Sequence, residues 1–160
     1  MKLIRALVLS LVLVVPQALA IEAGKAAPPI MLRSLDNKVV RLSDFADKVV
    51  FVDFWASWCG PCKQSLPWLQ QMQEKYGANG LQILAVNVDT DPGLARDMLS
   101  QLKVNLLTLS DPDGKTPESY EVESMPSSFL IGRNGHVAVK HCGFSSSDRE
   151  ALEHAIQAML

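Results

Sequence analysis

Apolar positions along the chain fall into alternating strand-like and helix-like periods. The run Val49-Val50-Phe51-Val52, followed by Asp53 and then Phe54-Trp55, is β-branched and aromatic. Such a run reads as a strand covered on both faces. From Pro61 to about Tyr76 the period becomes helical, carried by Leu66, Leu69, Met72 and Tyr76, with a kink expected at Pro67. Gly77 and Gly80 flank the exit, and Leu81 to Val88 predicts a second buried strand. Asp91-Pro92 places an N-cap before a proline at the first helical position, and Leu94, Met98, Leu99 and Leu102 form that helix's apolar stripe. A short strand at Leu106 to Leu109, the turn Asp111-Pro112-Asp113-Gly114 and a brief helix from Thr116-Pro117 to Tyr120 follow. Ser128 to Ile131 and His136 to His141 then flank Gly132-Arg133-Asn134-Gly135, which predicts an antiparallel hairpin. Ser147 with Glu150 is a capping box that opens the last helix, running to Leu160. Before all of these, positions 21 to 38 read as an irregular lead-in to a short strand at Val39 to Leu42. The expected architecture is α/β, a mixed central sheet of four to five strands with helices on both faces.

Two features of the termini and composition change this picture. Lys2 and Arg5 precede an apolar run from Ala6 to Val15, closed by Ala18-Leu19-Ala20, so residues 1–20 read as a cleaved secretory signal peptide. Residues 21–160 are then a single domain, expected to be exported, in a periplasm or an equivalent compartment, and soluble, with an uncleaved N-terminal membrane anchor as the alternative. Loss of the signal removes two positive charges and no negative ones, taking the formal charge from −2 to −4. The 15 Lys and Arg form no basic run, which argues against a nucleic-acid partner.

Three cysteines, Cys59, Cys62 and Cys142, are too few for a disulfide scaffold. Trp58-Cys59-Gly60-Pro61-Cys62 sits directly after a buried strand and at the start of a helix, where backbone N–H groups and the helix dipole stabilise a thiolate. Cys59 is the exposed candidate, and Cys62, one turn further, can attack a mixed disulfide formed there. Pro61 lacks an N–H that the first helical turn would leave unsatisfied, so it suits this place. A zinc site would need two further ligands from Cys142 and the three histidines, and no metal is expected. Asp53 is a single carboxylate in an apolar strand. Burial would raise its pKa and suit it to accept the Cys62 proton, or it caps the turn at the strand's end. Cys142 ends a strand and is expected to be a buried thiol. His136, His141 and His154 read as scattered surface residues, Trp55 as packing beneath the site, and Trp68 as core or surface cover.

The stretch from Val52 to Lys63 closely resembles the active-site segment of thioredoxins, and Met125-Pro126 resembles their X-Pro loop. Val39 to Phe45 and the Asp111 to Gly114 stretch look more like the exported TlpA-like branch of that superfamily. The resemblance implies a thioredoxin fold, with Cys59 as nucleophile and Cys62 as resolving thiol. It also implies that Pro126 is in cis and faces the pair, and that the backbone of Met125, with Trp58, Gly60 and Pro61, meets the substrate. Two positions depart from the family. Thioredoxins often carry a Lys beside the buried Asp, where Ala85 stands here, and many TlpA-like reductases have a Glu near the second Cys, where Ser65 stands. The expected activity is an exported thiol-disulfide oxidoreductase that reduces protein disulfides or relays electrons to them. It needs no cofactor beyond the redox-active Cys59-Cys62 disulfide, and a membrane thiol donor would supply electrons. Apocytochrome c is one candidate client. The alternatives are a disulfide oxidant or isomerase on the same fold, a metal-delivery protein and a peptide-binding module.

Overall fold

The structure, a computed structural model, describes residues 24–160. The expected signal peptide at residues 1–20 lies outside the described residues. Seven strands form one mixed sheet in the order β2-β1-β5-β4-β3-β6-β7. They are β1 (Met31–Ser34), β2 (Val39–Arg41), β3 (Val49–Trp55), β4 (Leu81–Asn87), β5 (Thr108–Ser110), β6 (Ser127–Ile131) and β7 (Val137–Cys142). Four helices accompany them: α1 (Cys62–Tyr76), α2 (Pro92–Leu102), α3 (Lys115–Ser119) and α4 (Asp148–Met159). β3, β4 and β5 run parallel, whereas β6 pairs antiparallel with both β3 and β7. All seven residues of β3 are buried, as its unbroken apolar run requires.

Successive β3 side chains point to opposite faces, and each face has its own core. Val49, Phe51 and Trp55 join Leu66 and Leu69 of α1, Met98 of α2 and Leu152 and Ile156 of α4. Val50, Val52 and Phe54 join Tyr120, at the end of α3, and Phe129. Phe54, Tyr120 and Phe129 form a cluster with ring centroids 4.9 to 5.8 Å apart. The Tyr120 hydroxyl donates to the Pro28 carbonyl at 2.7 Å, tying the lead-in segment to this layer. Each fully buried Phe or Leu stabilises the fold by roughly 1.5–3 kcal/mol.

The count of seven strands corrects the expected four to five. β1 lies within the stretch read as irregular, and it pairs with both β2 and β5. Its four residues carry only a weak alternation, and three of them are exposed or half-buried. The β1–β2 turn uses Asn37 at φ 63°, a left-handed conformation that Asn tolerates. β5 begins at Thr108 rather than Leu106. α1 continues through Pro67. α2 is capped as its sequence predicts, with Asp91 Oδ1 accepting from the Gly93 N–H at 2.8 Å. The α4 cap differs. Ser147 has helical dihedrals and makes no capping hydrogen bond. Instead Asp148 Oδ2 accepts from both the N–H and the hydroxyl of Ser145 at 2.7 Å. Among the described residues no helix is long and apolar enough to cross a membrane.

Candidate active site

β3 delivers the chain from the sheet centre to the turn Ala56–Cys59, which is closed by the Cys59 N–H donating to the Ala56 carbonyl at 3.1 Å. Pro61 then caps α1, and Cys62 is its first residue. Cys59 and Cys62 are joined as a disulfide, with Cα atoms 5.3 Å apart. The Cys62 N–H points at Cys59 Sγ from 3.3 Å. That N–H belongs to the first turn of the helix, where backbone donors lack intrahelical partners. A thiolate on Cys59 would therefore gain both a donor and the positive end of the helix dipole.

Cys59 is only 4% exposed and Cys62 is fully buried, so the expectation of an exposed Cys59 is corrected. The disulfide holds Cys59 Sγ beside the fully buried Cys62 at the start of α1. The exposed surface around it comes from Trp58, at 71%, with Gly60 and Pro61. Trp55 is buried beneath, in the same cluster as both cysteines. Trp68 is also core, between Phe51 and Phe144.

Asp53 occupies the middle of β3, in register with Ala85 of β4 on one side and Ser128 of β6 on the other. It has no exposure. Its Oδ1 accepts from the Ser128 hydroxyl at 2.7 Å, and its Oδ2 has no partner. Burial pushes the carboxyl up to about 7, against the smaller opposing effect of the Ser128 hydrogen bond. No cation is supplied by the neighbouring strand, because Ala85 stands where thioredoxins often carry Lys. Ser65, at the other departure, is buried and donates to the Cys62 carbonyl at 3.3 Å.

The Met125-Pro126 peptide bond is cis, as the resemblance implies. Pro126 is buried, and its carbonyl accepts from the Gly143 N–H at 2.8 Å, which ties this loop to the end of β7. Met125 packs against both core layers, including the cluster that holds the cysteines.

Cys142 is an exposed thiol, not the buried one expected. β7 is the edge of the sheet, and its exposure grows from buried Val137 to exposed Cys142. The Ser127 hydroxyl donates to its sulfur at 3.7 Å. His136 and His154 are exposed and His141 is partly so.

Residue-by-residue reading misses Ser128, the partner of Asp53. Its one sequence signal is a hydroxyl heading the apolar run Phe129-Leu130-Ile131 directly after the X-Pro loop. It also misses Asp89, which binds Ser57 just ahead of Cys59.

The family profile described as Redoxin matches residues 22–156. The chain belongs to the Redoxin family. Among solved structures, this Redoxin chain is similar to one assigned as thiol:disulfide interchange protein DsbE from Chlorobium tepidum. Identity is 49% and the TM-score 0.83, covering 86% of this chain and 97% of that one. It is 32% identical to thiol-disulfide oxidoreductase ResA of Bacillus thuringiensis subsp. konkukian over 136 residues, 85% of this chain and 78% of the relative. ResA of Bacillus subtilis is 32% identical over 118 residues, 74% of this chain and 66% of the relative. The thioredoxin fold and the Cys59–Cys62 disulfide agree with these relatives, and this Redoxin is a thiol-disulfide oxidoreductase.

Proposed function

We propose that the chain is exported and reduces protein disulfides, or relays electrons to them, through Cys59 and Cys62. The observation that carries this reading is the Cys62 N–H aimed at Cys59 Sγ at the N-terminus of α1. In the reduced protein the same donor stabilises a Cys59 thiolate. That thiolate attacks a client disulfide, forming a Cys59–client bond and expelling one client thiolate. Asp53, ionised near neutrality, takes the proton from Cys62. Cys62 then attacks Cys59 Sγ, the second client thiolate leaves, and the pair is left oxidised. The two electrons now in the client's thiols are replaced by a donor dithiol, for which a membrane thiol protein is the expected source. Trp58, Gly60 and Pro61 supply the exposed surface around the reacting sulfur, and Met125 with Pro126 the loop along which an extended client segment pairs. No other backbone group among the described residues pairs with the Met125 N–H or carbonyl. Apocytochrome c, with paired haem-attachment cysteines, belongs to the client class that this reading admits.

The test is the reduction potential of the Cys59–Cys62 pair in a glutathione or dithiothreitol buffer. A potential near about −270 mV fits a reductant. One near about −120 mV makes the protein an oxidant and refutes the proposed direction. Export is checked separately by fractionating cells and sequencing the N-terminus of the mature chain, which is expected to begin at Ile21.

A further inference from the structure

Asp89 is a buried carboxylate, 3% exposed, and it lies outside the cysteine motif and the X-Pro loop. Its two oxygens accept three hydrogen bonds. The Ser57 hydroxyl donates to Oδ1 at 2.9 Å, and the Ser57 N–H to Oδ2 at 2.9 Å. The third comes from Asn87 Nδ2 to Oδ2 at 2.8 Å, while Asn87 Oδ1 accepts from the Asp89 N–H at 3.1 Å. Asn87 is itself fully buried at the end of β4, in parallel register with Trp55 at the end of β3. No ion pair to Asp89 is present among the described residues. Burying a carboxylate without a countercharge is costly unless donors surround it. Here two of its three donors belong to Ser57, two residues before Cys59 and one before the exposed Trp58.

The consequence differs between the two redox states. In the oxidised protein a covalent bond to Cys62 already holds Cys59 in place. Once that bond is reduced, only packing and hydrogen bonds hold the Ala56–Cys59 turn, and the thiolate benefits from the Cys62 N–H only while the turn keeps its position. We infer that Asp89, oriented by Asn87 and acting through Ser57, is a positioning residue for the redox reaction: it holds the turn so that a Cys59 thiolate stays against the Cys62 N–H. Loosening this bracket weakens the reduced form more than the oxidised one.

Ser57 is half-buried, so Ser57→Ala removes one hydrogen bond without opening the core. The experiment measures, for wild type, Ser57→Ala and Ser57→Thr, the equilibrium with a dithiothreitol buffer and the pH titration of the attacking thiol by thiolate absorbance and mapped alkylation. Urea midpoints are taken in parallel. Ser57→Ala is expected to shift the dithiol–disulfide equilibrium about threefold toward the disulfide, about 14 mV more negative, and to raise the pKa of the Cys59 thiol. Ser57→Thr, which keeps the hydroxyl, restores both. The inference is overturned if Ser57→Ala lowers only the urea midpoint and leaves potential and titration at wild-type values, or if Ser57→Thr fails to rescue. It also rests on Cys59 being the attacking thiol. Alkylation at Cys62 first would overturn that reading as well, whereas alkylation at Cys59 with no effect of Ser57→Ala overturns the positioning role alone.

Discussion

Replacing Asp53 by Asn isolates what its ionisation does to the fold. The carboxyl is raised from 3.8 to about 7 in the folded protein, chiefly by burial. The folded state therefore binds a proton more tightly than the unfolded chain, and between these two values it carries more protons. Stability must then fall as pH rises through that window and level off above about pH 7. A displacement of about three pH units corresponds to roughly 4 kcal/mol in all, of which roughly 2–3 kcal/mol is lost between pH 5 and pH 8. Asn keeps an oxygen for the Ser128 hydroxyl and carries no charge. It places an amide where Oδ2 now lacks a partner, at a cost of about 1–3 kcal/mol that does not vary with pH. The two carboxyls that are held low do not blur the window. Asp148, lowered mainly by the Ser145 hydroxyl, and Glu153, lowered mainly by Lys75, stabilise above their unfolded values and lose that effect only in more acidic solution. The assay is urea unfolding of the oxidised protein, wild type and Asp53→Asn, at pH 5 and pH 8. Subtracting one protein from the other removes every contribution that the two share. The wild type should lose roughly 2–3 kcal/mol more than the variant over this interval. Equal pH dependence in the two proteins, or a wild type that gains stability relative to the variant, would refute the argument from burial.

Cys62→Ser should accumulate a mixed disulfide between Cys59 and a client on non-reducing gels, and Cys59→Ser should trap none; the reverse pattern would exchange their roles. Single-turnover resolution of a Cys59 mixed disulfide should quicken as pH rises through about 7, and in Asp53→Asn it should lose that step and slow by about 10²-fold. Tyr76→Phe removes a hydroxyl that donates to Glu153 Oε1 at 2.6 Å and accepts from Gln157 Nε2 at 2.7 Å, linking α1 to α4. It should cost about 1–2 kcal/mol in urea unfolding and leave the reduction potential unchanged. Leu66→Ala, at a fully buried position of α1, should cost about 2–5 kcal/mol in the same assay.

What could be read along the chain was whatever a local pattern encodes. β3 announces itself by an unbroken apolar run, α2 by Asp91-Pro92, and the β6–β7 hairpin by Asn134-Gly135. Cys59 and Cys62 are legible because their chemistry depends on a spacing of three residues at a helix start. β1 is not, since Met31–Ser34 becomes a strand only through partners on β2 and β5, the latter about 75 residues away. The exposure of Cys142 follows from β7 lying at the sheet edge, a property of strand order that its own sequence does not carry. The α4 cap turned on which of three consecutive serines meets the Asp148 carboxylate, and it is Ser145 rather than Ser147. The same distinction governs the buried carboxylates. Asp53 and Asp89 both look like acids near apolar strands, and only register reveals their partners, Ser128 at a separation of 75 residues and Ser57 at 32. Asp89 receives three donors, so both of its oxygens are occupied and it can act as a fixed anchor. Asp53 receives one and keeps a bare oxygen, which makes it the acid with room for a proton. Donor count, set by strand register, thus separates two residues of one chemical type into a holder of the active-site turn and an acceptor for its chemistry.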